Sequence, residues 1–329
     1  MLGSPSNSEA LEAMQVILSG DASPAEIAGF LVALRMKGET VEELVGFARA
    51  MRRMAEPVDP HLNGEPLLDT CGTGGDGSCT FNISTIAAFV VAGAGVRVAK
   101  HGNRSISGKC GSADLLEALG VQLPMTPARA AEAIREVGIG FLFAPSIHTA
   151  MKHAQPVRVA LKMRTVFNLL GPLTNPAGAT AQLVGAPSPA AAELMAGALA
   201  GLELERGFVV HGSDGLDEIT TTGPTLAFEI RNGEVKRQTL QPEDFGVPRA
   251  MPADLRGGDA SVNRVIADQV LHGARGPQRD IVLVNSAAAL VAASRAADFR
   301  TGMELAACSI DSGAALRKAE ALAAFSRQA

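Results

Sequence analysis

Residues 69–77 combine closely spaced glycines with polar side chains, a pattern suited to holding an anion. The segment reads Asp-Thr-Cys-Gly-Thr-Gly-Gly-Asp-Gly, so four glycines lie within six residues. Glycine allows positive φ and close backbone approach, and successive N–H groups can then form a concave anion site. The spacing is neither that of a P-loop nor that of the Rossmann fingerprint. Taken alone, the segment is equally compatible with an ordinary loop.

Polar residues also precede the apolar run 86–91, which is typical of a helix N-terminus. Asn82, Ser84 and Thr85 are the polar ones, and Ile83 lies among them in the sequence Asn-Ile-Ser-Thr. Free N–H groups and the positive end of the helix dipole favour phosphate at such a place. The turn therefore strengthens the prediction of an anion site.

A second polar segment, residues 100–114, follows a predicted strand. Three cations and three serines lie between Lys100 and Ser112. This composition at a strand end suits a highly phosphorylated ligand. The alternative is a solvated basic loop, against which Gly102, Gly108 and Gly111 argue because they permit close backbone approach.

Adjacent carboxylates form a third cluster after the predicted strand 208–211, in the sequence Asp214-Gly-Leu-Asp-Glu218. Such a turn is commonly a solvated cap. Beside a polyphosphate site, however, one or two carboxylates together with substrate phosphates and water are what Mg²⁺ prefers.

Composition excludes several classes of protein. In 329 residues the apolar fraction is 47% and the charged fraction 19%, as in globular chains. A net charge of −5 with neither Trp nor Tyr disfavours nucleic-acid binding. Four cysteines without CxxC spacing predict neither a zinc site nor a disulfide framework, so we expect small buried side chains. The N-terminal residues lack a signal-peptide pattern, and the longest apolar stretch is too short for a membrane span. These features predict a cytoplasmic protein.

The chain reads as a small helical part followed by alternating strands and helices. Capping boxes at Ser23–Glu26 and Thr40–Glu43 start two helices, and prolines and Asn63-Gly64 mark a linker. Strands are predicted at 66–69, 96–100, 141–144, 182–185 and 208–211, with helices starting near 84, 126 and 188. This alternation predicts an α/β fold with a mostly parallel central sheet covered by helices. Asn232-Gly233 predicts one antiparallel hairpin over 225–240, and the last 50 residues are expected to be helical.

Seven motifs occur in order along the chain: GTGGDG, NIST, KHGNR, GSADLLEALG, FLFAP, RTVFNLLGPLTNP and DGLDE. On these motifs the chain resembles the anthranilate phosphoribosyltransferase family of tryptophan biosynthesis over essentially its full length. The resemblance implies the nucleoside phosphorylase/phosphoribosyltransferase type of fold. It implies a small all-helical domain of residues 1–64 and 154–176, and a larger α/β domain of residues 65–153 and 177–329. It also implies a homodimer formed through the helical domain.

The implied reaction is glycosyl transfer. The 5-phosphoribosyl group passes from 5-phosphoribosyl 1-diphosphate to the amino nitrogen of anthranilate, giving N-(5-phosphoribosyl)anthranilate and pyrophosphate. Mg²⁺ is the implied cofactor, the two substrates are the implied partners, and neither nucleic acid nor membrane is expected.

The resemblance also implies site residues. Those expected at the phosphoribosyl diphosphate are Gly72, Gly75, Asp76, Thr80, Asn82, Ile83, Ser84, Thr85, Lys100, His101, Gly102, Asn103, Arg104, Ser105, Ile106, Ser107, Gly108 and Ser112. Those expected at anthranilate are Gly72, Asn103, His101, His148 and Arg158, with Arg164 the neighbouring alternative to Arg158. The expected metal ligands are Ser84, Asp217 and Glu218. No residue is a certain catalytic group, and His101 is a candidate proton acceptor.

The chain departs from the family pattern at two positions, and two alternative functions stay open. Thr149 stands where the family commonly has Pro, beside His148, and Cys110 stands where Ser is commoner. One alternative is a pyrimidine nucleoside phosphorylase-like enzyme. The other is a non-enzymatic nucleic-acid-binding relative, which would be basic and would have eroded motifs.

Overall fold

Three capped helices form the N-terminal part of a computed structural model, which describes residues 5–74, 79–105 and 108–328. They are α1 (Asn7–Ser19), α2 (Pro24–Lys37) and α3 (Val41–Arg53). Each begins with a capping box, at Ser6, Ser23 and Thr40. The cap side-chain oxygen accepts from one N–H of the first turn, and the carboxylate of a Glu three residues later accepts from the N–H of the cap residue. The two predicted helix starts are therefore confirmed.

The rest of the described chain alternates strands with helices. The strands are β1 (Leu67–Gly72), β2 (Arg97–Gly102), β3 (Ile139–Phe143), β4 (Ala181–Gly185), β5 (Arg206–Gly212), β6 (Thr225–Arg231) and β7 (Glu234–Leu240). The helices are α4 (Ile83–Gly93), α5 (Ser112–Ala118), α6 (Pro127–Glu136), α7 (Ala144–Ile147), α8 (Gln155–Leu161), α9 (Phe167–Leu170), α10 (Pro189–Gly201), α11 (Ala260–Leu271), α12 (Pro277–Ala292), α13 (Phe299–Asp311) and α14 (Ala314–Ser326). No described helix is long and apolar enough to cross a membrane.

The strands form one sheet in the order β3-β2-β1-β4-β5-β6-β7. Strands β1 to β5 are parallel, and β6 and β7 are antiparallel. The predicted mostly parallel sheet is thus confirmed. The predicted hairpin is confirmed as well: Asn232 and Gly233 have φ values of 51° and 83°, as a tight two-residue turn requires.

The parallel part of the sheet is buried on both faces, and alternate residues of each strand point to opposite sides. On β4, Leu183 packs in the core that contains α4 and α12, whereas Val184 packs in the core that contains α1, α3 and α10. Val157 of α8 and Phe167 of α9 belong to the second core. The N-terminal helices therefore share a continuous apolar core with one face of the sheet.

The strand order places a crevice beside β1. From β1 the chain runs to β2 and β3 on one side, then to β4 and β5 on the other. Gly72 and Gly185 are paired at the carboxyl ends of β1 and β4, on either side of this switch point. In open α/β sheets, ligands bind at such a crevice.

The paired glycines also make room for the turn after β5. A Cβ at Gly185 would lie 1.6 Å from the main-chain oxygen of Asp217, and one at Gly72 would lie 2.4 Å from Asp217 Oδ2. The turn therefore packs directly on bare backbone. Both glycines are needed for this close approach rather than for a positive φ.

We expect Gly185→Ala to displace the 214–218 turn, because the added Cβ meets backbone that cannot rotate away. Overpacking of this kind should lower the free energy of unfolding by about 1–3 kcal/mol, measured by urea denaturation. Gly29→Ala is the matched control, since Gly29 lies within α2 and a Cβ there meets nothing within 4 Å. Equal stability of the Gly185 variant and the wild type would contradict the packing argument.

Candidate active site

The carboxyl ends of four parallel strands bring the predicted segments together. Gly72 ends β1, Gly102 ends β2, and the 214–218 turn follows β5. His148 follows α7, which continues directly from β3. The site is thus built at one edge of the sheet, around the switch point between β1 and β4.

The carboxylate of Glu218 caps helix α4. Its Oε1 accepts a hydrogen bond from the Ser84 N–H at 3.0 Å. The cap residue, Asn82, makes no side-chain cap bond to the helix and instead donates to the Cys110 carbonyl (3.1 Å) and accepts from Asn263 (2.9 Å). An anionic group therefore already sits at the positive end of the helix dipole.

This cap changes the expectation of free N–H groups at residues 82–85. The Ile83 and Thr85 N–H groups donate within the turn, to the carbonyls of Phe81 and Asn82, and Ser84 donates to Glu218. The side chains of Ile83 and Thr85 are buried. An external anion that used the Ser84 N–H would have to take the place of the Glu218 carboxylate.

The three acidic residues of the turn have different surroundings. Asp214 is used within the turn, where it accepts hydrogen bonds from the Thr220 and Thr222 hydroxyls at 2.7 Å each. Asp217 Oδ2 accepts from the Gly74 N–H at 3.1 Å, in the space that Gly72 leaves. The buried Asn285 of α12 holds Ile219, the residue after Glu218: its side chain accepts from the Ile219 N–H and donates to the Ile219 carbonyl.

Asp217, Glu218 and the Ser84 hydroxyl offer hard oxygen donors, which suit Mg²⁺. In the described residues no three His, Cys, Asp or Glu side chains lie close enough to hold a metal ion together. A magnesium ion here would therefore complete its coordination with substrate phosphates and water. The donor set fits that mode of binding.

Lys100 brings a buried positive charge to the same place. Its Nζ donates to the Thr70 carbonyl (2.5 Å) and to Ser84 Oγ (3.4 Å). Burial lowers the pKa of Lys100, whereas the nearby Asp69 carboxylate raises it. The ammonium is thus held at the N-terminus of α4.

Asp69 and Asn175 tie β1 to β2 beside Lys100. The Asp69 carboxylate accepts from the His101 N–H (3.1 Å) and from the Asn175 side-chain amide (2.8 Å). The same amide donates to the Ala99 carbonyl at 2.8 Å. Burial raises the pKa of Asp69, and Lys100 and these hydrogen bonds oppose that shift.

His101 and His148 form a buried pair of imidazoles. Their ring centroids are 5.1 Å apart in an edge-to-face arrangement. Burial lowers the pKa of His101 to about 3 and that of His148 to about 4. Neither Nε2 has a hydrogen-bond partner among the described residues. Two neutral rings, each with an unused polar atom, are therefore present near pH 7.

The two candidate arginines lie in different surroundings. Arg158 is half-buried, stacks on the Phe167 ring at 5.1 Å and donates to Gln155. Burial lowers its pKa, and no described carboxylate forms an ion pair with it. Arg164 donates through Nη1 and Nη2 to the Gly74 carbonyl at 3.3 and 3.4 Å. Arg158 thus has no acidic partner among the described residues, and Arg164 contacts the glycine segment.

Asp114 holds the main chain at Ser105 and at Gly111. The Ser105 and Gly111 N–H groups both donate to its Oδ2, and Arg104 pairs with Asp114 and, through two nitrogens, with Glu117. The Arg104 guanidinium is therefore engaged with α5.

The glycines of this part of the chain allow it to approach itself. A Cβ at Gly102 would lie 2.2 Å from Ser112 Oγ, and one at Gly111 would lie 2.4 Å from the Ser105 nitrogen. A Cβ at Gly108 would lie 3.0 Å from Ser105 Oγ. Ser112 Oγ in turn donates to the Asn103 carbonyl at 3.2 Å.

Other predicted residues are placed as follows. Thr80 forms an isolated antiparallel bridge with Arg256. Gly75, Asp76, Ile106 and Ser107 lie outside the described residues. The expectation that all four cysteines are buried is wrong: Cys71 is buried, but Cys79 and Cys308 are exposed and Cys110 is half-buried.

Comparison with known proteins gives matches along nearly the whole chain. The helical bundle domain of a glycosyl transferase family matches residues 3–55, and its α/β domain matches residues 64–316. Anthranilate phosphoribosyltransferase of Solibacter usitatus is 72% identical over 97% of this chain and 94% of its own. The chain belongs to the anthranilate phosphoribosyltransferase family.

Solved structures of this family agree in fold. The Thermus thermophilus enzyme has a TM-score of 0.94 at 46% identity, over 99% of this chain and 97% of its own. The Saccharomyces cerevisiae enzyme, solved in complex with PRPP (5-phosphoribosyl 1-diphosphate) and Mg, has a TM-score of 0.89 at 30% identity, over 98% and 93%. The same yeast enzyme has also been solved with 4-fluoroanthranilate. The findings favour the anthranilate phosphoribosyltransferase family over the two alternatives.

Three residues that shape the site were not among the predicted ones. Gly185 makes room for Asp217, and Asp69 with Asn175 ties β1 to β2. Asn175 lies in a Thr-Asn-Pro sequence, which by itself indicates only a turn. The anthranilate phosphoribosyltransferase motif that contains it, RTVFNLLGPLTNP, was the available signal.

The two imidazoles predict a loss of stability in acid. Because their pKa values are lowered on folding, from about 6.5 in the unfolded chain, the unfolded state binds protons more readily. The free energy of unfolding is therefore unaffected by protonation of these imidazoles above pH 6.5 and falls as the pH falls towards 4. At pH 5 each imidazole should lower the free energy of unfolding by about 2 kcal/mol.

We expect the free energy of unfolding to fall between pH 7.5 and pH 5 by about 2 kcal/mol more in the wild type than in His148→Gln. Urea denaturation at both pH values measures the difference, and the comparison at pH 7.5 separates it from any general loss of packing. Parallel pH dependence of the two proteins would show that His148 is not held neutral by burial.

Proposed function

We propose that this chain transfers the 5-phosphoribosyl group of 5-phosphoribosyl 1-diphosphate to the amino nitrogen of anthranilate, releasing pyrophosphate. The observation that carries the proposal is the convergence of Glu218, Ser84 and Lys100 at the N-terminus of α4. Carboxylate, hydroxyl and ammonium groups together suit a metal-bound diphosphate. The family assignment and the yeast complex with PRPP and Mg support the same reading.

The donor side lies between the glycine segment and α4. Lys100 and the N-terminus of α4 supply positive potential there. Asp217, Glu218 and the Ser84 hydroxyl would hold Mg²⁺, which when bound neutralises charge on the diphosphate. The other residues predicted for the phosphoribosyl diphosphate keep that role in this proposal.

The acceptor side is formed by the buried histidines and Arg158. Neutral His101 and His148 offer ring faces and edges against which an aromatic acid can pack. Arg158, half-buried and without an acidic partner in the described chain, would bind the carboxylate of anthranilate. Gly72 and Asn103 complete the proposed acceptor contacts.

The chemistry demands mainly positioning and electrostatic stabilisation. The amine nitrogen forms a bond to ribose C1 while the bond from C1 to the diphosphate oxygen breaks, and pyrophosphate leaves with the bonding electrons. The aryl amine is neutral at pH 7, so no strong base is required to create the nucleophile. Lys100 stabilises the developing charge on pyrophosphate, and Arg158 orients the amine. A neutral His101 is available to accept the proton that the product nitrogen loses.

We propose the organisation of the chain as follows. Residues 1–64 and 154–176 form the helical domain, in which α1, α3, α8 and α9 contribute to one apolar core that continues onto β4 and α10. Residues 65–153 and 177–329 form the α/β domain. The chain is a cytoplasmic homodimer that associates through the helical domain and binds neither nucleic acid nor membrane.

An activity assay tests the function directly. The purified protein, with anthranilate, 5-phosphoribosyl 1-diphosphate and Mg²⁺, should consume anthranilate fluorescence and release one pyrophosphate per anthranilate. Omitting the diphosphate or adding EDTA should abolish the loss of fluorescence. Phosphorolysis of a pyrimidine nucleoside with no anthranilate turnover would contradict the proposal.

We expect Arg158→Ala to lower kcat/KM for anthranilate by about 10–150-fold, since a partly buried charge-assisted hydrogen bond contributes about 1.5–3 kcal/mol. The KM for 5-phosphoribosyl 1-diphosphate should stay within about twofold. Lys162→Asn, which removes an exposed charge just after α8 and keeps a residue that tolerates φ of 50°, is the control. Equal weakening of both substrates would instead assign Arg158 a structural role.

A further inference from the structure

The peptide groups at Gly74 are held from three directions. Thr73 donates its N–H to the Gly185 carbonyl at 3.1 Å, which anchors the chain just beyond β1. The Gly74 N–H donates to Asp217 Oδ2 at 3.1 Å, and the Gly74 carbonyl accepts from both terminal nitrogens of Arg164. A continuous path of hydrogen bonds thus joins Arg164 to Asp217 through a single residue.

Gly74 needs such restraint because of its conformation. Its φ is 66°, in the left-handed region, and a Cβ there would meet nothing within 4 Å. Glycine has more backbone freedom than any other residue, and at this point no side chain packs against neighbours. The direction of the Gly74 N–H therefore depends on the hydrogen bonds at the two ends of the residue.

Arg164 is well placed to supply that restraint. It lies between α8 and α9, where the next three residues, Thr165, Val166 and Phe167, are buried. The Thr165 N–H donates to the Asn168 side chain at 2.9 Å, which fixes the start of α9. The base of the Arg164 side chain is thus anchored in the core that contains the N-terminal helices, while its guanidinium reaches the glycine segment.

We propose that Arg164 is a positioning residue for the metal-binding carboxylate. By holding the Gly74 carbonyl, it directs the Gly74 N–H at Asp217 and so keeps that carboxylate in the orientation in which it binds Mg²⁺. The inference rests on the proposed function, because it takes Asp217 as a metal ligand. The two arginines have different roles in this proposal. Arg158 binds the carboxylate of anthranilate, and Arg164 positions the metal-binding carboxylate.

The first test measures steady-state rates against Mg²⁺. Arg164→Ala should raise the Mg²⁺ concentration for half-maximal rate about fivefold and lower kcat by a similar factor, as the loss of a neutral-acceptor hydrogen bond predicts. The KM for anthranilate should stay within about twofold. Arg164→Lys, which keeps one donor, should recover part of both losses. Lys162→Asn, in the same loop, should behave as the wild type.

The second test measures metal binding without turnover. Mn²⁺ is titrated into each protein in the presence of pyrophosphate, and free Mn²⁺ is read by electron paramagnetic resonance. Arg164→Ala should weaken Mn²⁺ binding about fivefold and Asp217→Asn at least as much. In the Asp217→Asn background, Arg164→Ala should have an effect within about twofold, because Arg164 is proposed to act on the metal through Asp217.

Three results would overturn the proposal. The first is that the losses of Mn²⁺ affinity in the two single variants multiply in the double variant. The second is that a folded Arg164→Ala variant binds Mn²⁺ as the wild type does. The third is a selective rise in the anthranilate KM of Arg164→Ala, which would make Arg164 the acceptor contact instead. Thermal unfolding midpoints confirm that the variants are folded. Failure of the proposed function itself would look different, since the wild type would then form no phosphoribosyl anthranilate.

Discussion

Asp217 reaches the crevice because Gly72 and Gly185 present bare backbone at the paired ends of β1 and β4. Any side chain at Gly185 would overlap the main chain of the 214–218 turn. The carboxylates, the glycine segment and the N-terminus of α4 come within hydrogen-bond distance only because two strands end without side chains at the switch point. The pairing of β1 with β4 therefore sets the geometry of the donor side, because it fixes where the loops after these strands begin.

The buried charges beside the crevice depend on the neighbouring pair of strands, β1 and β2. Lys100 is buried without leaving its ammonium unpaired, because Thr70 and Ser84 supply oxygen acceptors and Asp69 supplies a nearby negative charge. Asn175 then links β1 to β2 by bonding to a carboxylate and a carbonyl at once. Buried polar groups are tolerated when hydrogen bonds satisfy them, and here these bonds also hold adjacent strand ends.

Much of this could be predicted from sequence because the signals are local. Capping boxes located two helices, Asn232-Gly233 located the hairpin, and glycine-rich strand ends located the crevice edge. Long-range pairings could not be predicted in this way. Three such contacts join residues that are not neighbours in the sequence. Glu218 caps α4, Arg104 pairs with Glu117, and the absence of a side chain at Gly185 leaves space for Asp217. Local pattern carries no information about such partners.

The Glu218 cap has a thermodynamic consequence for ligand binding. An anion that accepts the Ser84 N–H displaces the Glu218 carboxylate from that donor. A cation then stabilises the displaced carboxylate. Binding of the anion and binding of the cation are therefore linked, and by reciprocity each must strengthen the other by the same factor. In the structure the Ser84 N–H and the Glu218 carboxylate satisfy each other, so the α4 N-terminus is capped and the acid has a hydrogen-bond donor at this point.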